Sequence, residues 1–218
     1  MEKETTKSTQ LFLAIGTITT WFALGLQFYL IIANRTTSIP EAIVRFFSFY
    51  TILTNILVAI CFTFLWLKPK SRWGIFFSHQ KTLTAITIYI TIVAIVYNLI
   101  LRSTWNPHGL QRVADELLHL VGPIIFILYW FLFAPKVALQ LKNIFPWLIY
   151  PLVYLLYILF RGSFAKYYPY PFIDVNILGY SKVLLNSMLL CIAFLFISLL
   201  FVAIAKMMSR NLQLDLLK

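Results

Sequence analysis

Apolar residues run in six long stretches along this chain, at about 11–33, 43–67, 82–102, 116–133, 145–160 and 181–205, and polar residues collect in the short pieces between them. A helix that crosses the hydrocarbon core of a bilayer takes about 20 predominantly apolar residues. The pattern therefore predicts six spanning helices. They use most of the length and leave no soluble domain, so the expectation is an all-α polytopic integral membrane protein with a single six-helix domain over residues 1–218. The run from Leu11 to Ala33 is too long for the core of a secretory signal, and Asn34-Arg35-Thr36 follows it in place of a small-residue cleavage site. It reads as a retained first span.

Composition agrees with that pattern. Of 218 residues, 61% are hydrophobic and 11% charged, against about 25% charged in ordinary globular domains. The net charge of +11 would suggest nucleic acid in a soluble protein. Here the basic residues sit in short loops beside the spans, where they set orientation, and nucleic acid is not an expected partner. With six spans the termini share a side. That side carries eleven of the 18 lysines and arginines and the other side seven. The excess predicts a cell (inner or plasma) membrane protein with both termini cytoplasmic. Membrane lipids are its expected surroundings.

The polar residues that remain inside spans carry a solvation cost and so mark function. Ser48, Thr51 and Asn55 stand at i, i+3 and i+7 and are expected on one face of helix two, with Thr54 beside them. Each hydroxyl alone can be satisfied by its own i−4 carbonyl. An amide such as Asn55 near mid-bilayer needs partners from another helix. His119 is expected in the first turn of helix four, with Asp115 and Glu116 four and three residues before it. Gln27, Asn98 and Asn186 fall in the outer parts of helices one, three and six, and Arg102 ends helix three. These placements predict one polar cavity at the outer ends of the spans. One histidine with no cysteine at that depth does not make a metal site, no second histidine faces it for haem, and no CxxC, HExxH or Gly-rich phosphate loop occurs. No cofactor is expected. Cys61 and Cys191 fall inside spans and read as small buried packing residues.

Two loops stand apart: 102–116, and 161–180 with Tyr167-Tyr168-Pro169-Tyr170-Pro171-Phe172. The prolines exclude a continuous helix there. The aromatics fit either a headgroup-level belt or a lid over a cavity. Pro151, in the short fifth span, is expected to kink that helix.

The segments RFFSFYTILTN (45–55), DELLHLVGP (115–123) and YPYPFID (168–174) resemble the androgen-induced and androgen-dependent-regulator family, and among its members the bacterial six-span branch labelled Pr-six-Pr. Animal members are membrane-embedded threonine hydrolases that cleave fatty acid esters of hydroxy fatty acids. The resemblance implies that Arg45, Phe46, Ser48 and Phe49 match the motif around the nucleophile, with Ser48 in the threonine position. The family amide, six residues on in the animal enzymes, falls on Asn55 or gives way to Thr54. The family histidine falls on His119, and Tyr170-Pro171-Phe172 matches the segment before the last span.

The resulting expectation is a lipid-ester hydrolase. Ser48 or Thr51 (or Thr54) attacks, His119 serves as general base, and Asp115 or Glu116 orients the imidazole. Asn55, Asn98 or Arg102 donates to the oxyanion, and Tyr170 contributes to the substrate site. The alternative from another class is a binding or transport protein that uses the same polar cavity.

Overall fold

The computed structural model describes residues 6–135 and 138–215; of the basic residues counted above, Lys3, Lys136 and Lys218 lie outside them. Among the described residues there is no strand. Six helices are long and apolar enough to cross a membrane: Lys7–Ala33, Tyr50–Leu67, Gln80–Thr104, Gly109–Phe133, Leu141–Ala165 and Val175–Arg210. The chain is an all-α, multi-pass membrane protein. By contact density it divides into two compact units, Met1–Pro135 and Lys136–Lys218.

The first unit holds four spans. Helix α1 (Lys7–Ala33) starts at Thr6, whose hydroxyl accepts from the Thr9 N–H. A short helix α2 (Ile39–Phe46) follows, with Ser38 as its N-cap, Pro40 in its first turn and an Arg45–Glu41 ion pair along its side. The chain then breaks, and α3 runs from Tyr50 to Leu67. The break has a local cause. Ser48 Oγ donates to the Val44 carbonyl, 2.7 Å away, which is the acceptor its own N–H would need in a continued helix. That N–H turns to Arg45 O instead, and Phe49 is extended. The second span therefore begins seven residues later than the hydropathy suggests.

A seven-residue helix α4 (Arg72–Ser78) leads into α5 (Gln80–Val96), which continues through a π turn, Tyr97–Leu101, and a 3-10 turn, Arg102–Thr104. Helix α6 (Gly109–Glu116) passes through a second π turn, Leu117–Val121, into α7 (Gly122–Phe133). Helix four thus begins at Gly109 rather than near residue 116. Its extra turns place His119 about 15 Å along the axis from the helix start, at 1.5 Å per residue. Asp115 and Glu116 sit inside the helix instead of capping it.

Helix α1 packs along α3 and also meets α6 and α7, while α5 packs on α3 and α7. Lipid tails give apolar helices no hydrophobic reason to associate, so close approach and polar cross-links must hold them. Gly16 supplies the approach: a Cβ there would lie 2.7 Å from the ring of Phe62, which is fully buried against Phe126 and Tyr129. The cross-links include Trp130 Nε1 to Thr84 Oγ1 at 2.8 Å and Trp21 Nε1 to Thr63 Oγ1 at 3.0 Å. Cys61 is buried in this unit.

The second unit holds the last two spans. A 3-10 turn (Leu141–Asn143) and α8 (Ile144–Trp147) precede α9 (Ile149–Ala165). Pro151 produces a restart rather than a kink. It sits in the first turn of α9, where its missing N–H costs nothing, and Leu148 separates the two helices. Helix α10 (Val175–Asp215) is interrupted at Gly179, whose φ of 71° and ψ of 162° are open to glycine alone. Cys191 on α10 is exposed, so the expectation of a buried packing thiol fails there.

Candidate functional site

Within the first unit the two π turns meet. Each is closed by a bond to the residue five places on: Arg102 N–H to Tyr97 O, and Gly122 N–H to Leu117 O. A π turn leaves a carbonyl without its usual helical donor, and such turns occur often at functional sites. In the second turn Pro123 removes a further donor, because its nitrogen would have served His119 O in an α-turn or Leu118 O in a π turn. Two asparagines from other helices fill both vacancies. Asn55 Nδ2 donates to Leu118 O (3.2 Å) and to Thr51 O (2.9 Å). Asn98 Nδ2 donates to His119 O (3.2 Å) and to Ala94 O (2.9 Å). Both amide hydrogens of each asparagine are spent on carbonyls, so neither has one left for an oxyanion in this geometry.

His119 lies between these supports. Its Nδ1 is 2.9 Å from the Asp115 carbonyl and 3.3 Å from Asp115 Oδ1, with both side chains largely buried. Tyr97 stacks on the imidazole with ring centroids 3.8 Å apart and planes 16° from parallel. The Tyr97 hydroxyl donates to Asp115 Oδ2, and Trp105 Nε1 donates to Oδ1 at 3.4 Å. The carboxylate thus faces three donors, and the imidazole has a fixed plane. No hydrogen bond to Nε2 occurs among the described residues. Beside the pair, Arg102 donates to Glu116 and to Asn98 Oδ1 (2.6 Å), which ties the end of the third span to the fourth. Gln111 donates to Gln27 at 2.9 Å and ties the fourth span to the first.

Of the residues singled out in the sequence, Asn98, Arg102, Asp115, Glu116 and His119 form one connected network, and Asn55 joins it through the second π turn. Ser48, Thr51 and Thr54 are buried, with Thr51 and Asn55 one turn apart on α3 and Ser48 in the break before it. The expected single stripe therefore loses its first member to the break. Among the described residues, none of the hydrogen bonds of His119 goes to a hydroxyl. Asn55 Oδ1 is buried without a hydrogen-bond partner among the described residues and points toward Gly122, where an added Cβ would lie 3.5 Å away.

Tyr97 and Trp105 were not legible as site residues. A tyrosine in an apolar run reads as packing, and only the π turn aims it at Asp115.

In the second unit Tyr170 is buried and stacks on Phe172 at 5.2 Å. Asn186 Nδ2 donates to Phe172 O (2.8 Å), Asn176 Nδ2 donates to Lys166 O (3.2 Å), and the Tyr168 ring fills the space over Gly162. The 166–174 segment is a strap fastened at both ends to its own two helices.

No protein-family model, no curated protein and no solved structure matches the chain.

Proposed function

We propose that this protein is a lipid-ester hydrolase whose general base is His119. The observation that carries the reading is the Asp115–His119 pair: Nδ1 faces Asp115, and Nε2 has no hydrogen-bond partner among the described residues. A base must have one ring nitrogen oriented and the other available to take a proton from a nucleophile. Tyr97 and Trp105 support the role by keeping the carboxylate hydrogen-bonded on both oxygens. The resemblance of residues 45–55 and 115–123 to the androgen-induced family's motifs supports the same chemistry.

In this reading a hydroxyl at Ser48 or Thr51 attacks the ester carbonyl. His119 accepts the hydroxyl proton at Nε2 and returns it to the leaving alkoxide; water then repeats the sequence to release the acid. Ser48 must give up its bond to Val44 O to act, which costs about 1 kcal/mol. Arg102 is the oxyanion donor of this scheme, since the asparagine amides are committed elsewhere and a guanidinium has five N–H groups. With both termini cytoplasmic, the site lies toward the outer leaflet and receives substrate from lipid.

A fluorophosphonate probe on the purified chain tests this, together with hydrolysis of a long-chain ester of a hydroxy fatty acid. Wild type is expected to label and turn over. His119→Gln should lower the rate at least 100-fold, as should alanine at whichever of Ser48 and Thr51 is the nucleophile. Turnover that survives His119→Gln sinks the mechanism. Absence of both labelling and turnover in the folded wild type favours a non-enzymatic binding or transport protein built on the same polar cluster.

A further inference from the structure

We propose that the turn joining α3 to α5 is a binding site for the headgroup of an anionic phospholipid. The site is at the opposite ends of α3 and α5 from Asn55 and Asn98, so it is separate from the hydrolytic centre and does not depend on it. Lys68, Lys70, Arg72 and Lys81 are all exposed there, and no acidic residue occurs between Glu41 and Asp115. Within the same fourteen residues α4 exposes Trp73 (56%), Ile75 (50%) and Phe76 (47%).

The two features are held in a fixed relation. Ser71 Oγ donates to Lys68 O at 2.7 Å and accepts from Gly74 N–H at 3.1 Å, while Ser71 N–H also reaches Lys68 O at 3.1 Å. Gly74 is folded so tightly onto this turn that a Cβ would come within 2.2 Å of Lys68 O. Trp73 packs on Phe64, Phe76 and the buried Phe77, which fastens α4 to the end of the second span. The turn therefore has one shape, with cations and apolar rings side by side.

A phospholipid matches both halves of that surface. Its acyl chains lie against Trp73, Ile75 and Phe76, and its phosphate lies among the lysines and Arg72, at the depth where indole rings and long basic side chains settle. A phosphate with no choline or amine beside it strengthens the match, because basic residues beside a span favour anionic over zwitterionic lipid. A soluble acidic protein or nucleic acid would satisfy the charges and leave the aromatic face unmatched.

The test uses the full chain in nanodiscs of equal phosphatidylcholine and phosphatidylglycerol, released into the gas phase so that retained lipids are counted by mass. Wild type is expected to retain the anionic lipid at least fivefold over the zwitterionic one. The triple variant Lys68→Gln/Lys70→Gln/Arg72→Gln should fall to parity, and Trp73→Ala should lose part of the preference. These exposed positions leave the thermal midpoint as a check that the bundle is intact. Equal retention of both lipids by wild type overturns the proposal, and so does an undiminished preference in a folded triple variant.

Discussion

Pro123 and the turn before it leave two neighbouring carbonyls with no helical donor, and two amides from two other helices supply the missing hydrogens. The arrangement is a reciprocal dependence with a measurable signature. Asn98→Leu should destabilise the protein by about 1–2 kcal/mol, because a buried carbonyl loses its partner. Pro123→Ala puts an N–H back at that point of the helix. In the double variant Asn98→Leu/Pro123→Ala the loss should therefore be smaller than the sum of the single changes, a coupling of about 0.5–1 kcal/mol read from thermal or denaturant midpoints. Strict additivity would mean that the amide and the proline act independently. At this scale the sequence was informative about residue type and silent about partners. An asparagine in a span announces that it needs a partner, and both Asn55 and Asn98 have one on another helix. Nothing in the spacing of Tyr97 or Trp105 announces Asp115 as theirs.

Elements were legible where apolar run length decides them and illegible where one side chain or one extra residue does. Hydropathy places the six spans. It also carries the second span across Phe47–Phe49, because a serine among four aromatics does not interrupt an apolar average, although its hydroxyl takes the carbonyl that the helix needed. The fourth span is longer than the apolar run because its polar first turns are paired with Gln27, Tyr97, Trp105 and Arg102. The strap between the last two spans has its own dependence on one small residue. A Cβ at Gly162 would lie 2.1 Å from the Tyr168 ring. Gly162→Ala should force that ring out and cost about 1–3 kcal/mol. Limited proteolysis is the second readout, with faster cutting within 166–174 expected in the variant and an unchanged rate counting against a fastened strap.

For the whole molecule, the number of spans fixes which loops share a side. The α4 turn and the Trp105–His108 loop are at opposite ends of the third span. In a background with Cys61 and Cys191 replaced by alanine, Ser78→Cys and Asn106→Cys should react with a membrane-impermeant maleimide from opposite faces. The orientation expected from the basic residues predicts that Asn106→Cys labels in intact cells and Ser78→Cys only after lysis; the reverse result would turn the proposed hydrolytic centre toward the cytoplasmic leaflet. The wide turn at Leu117–Val121 bears on the same scale. It stores one residue beyond what a regular helix needs over that rise. Deleting a single residue there would let the fourth span close into ordinary α-helix, still long enough to cross the bilayer. Everything before the deletion would keep its facing, because the wide turn had absorbed the extra residue, while His119 and the carbonyls capped by Asn55 and Asn98 would change register within the turn. Such a variant would insert, fold as six spans and have no organised centre, which separates the requirements for crossing a membrane from those for doing chemistry inside one.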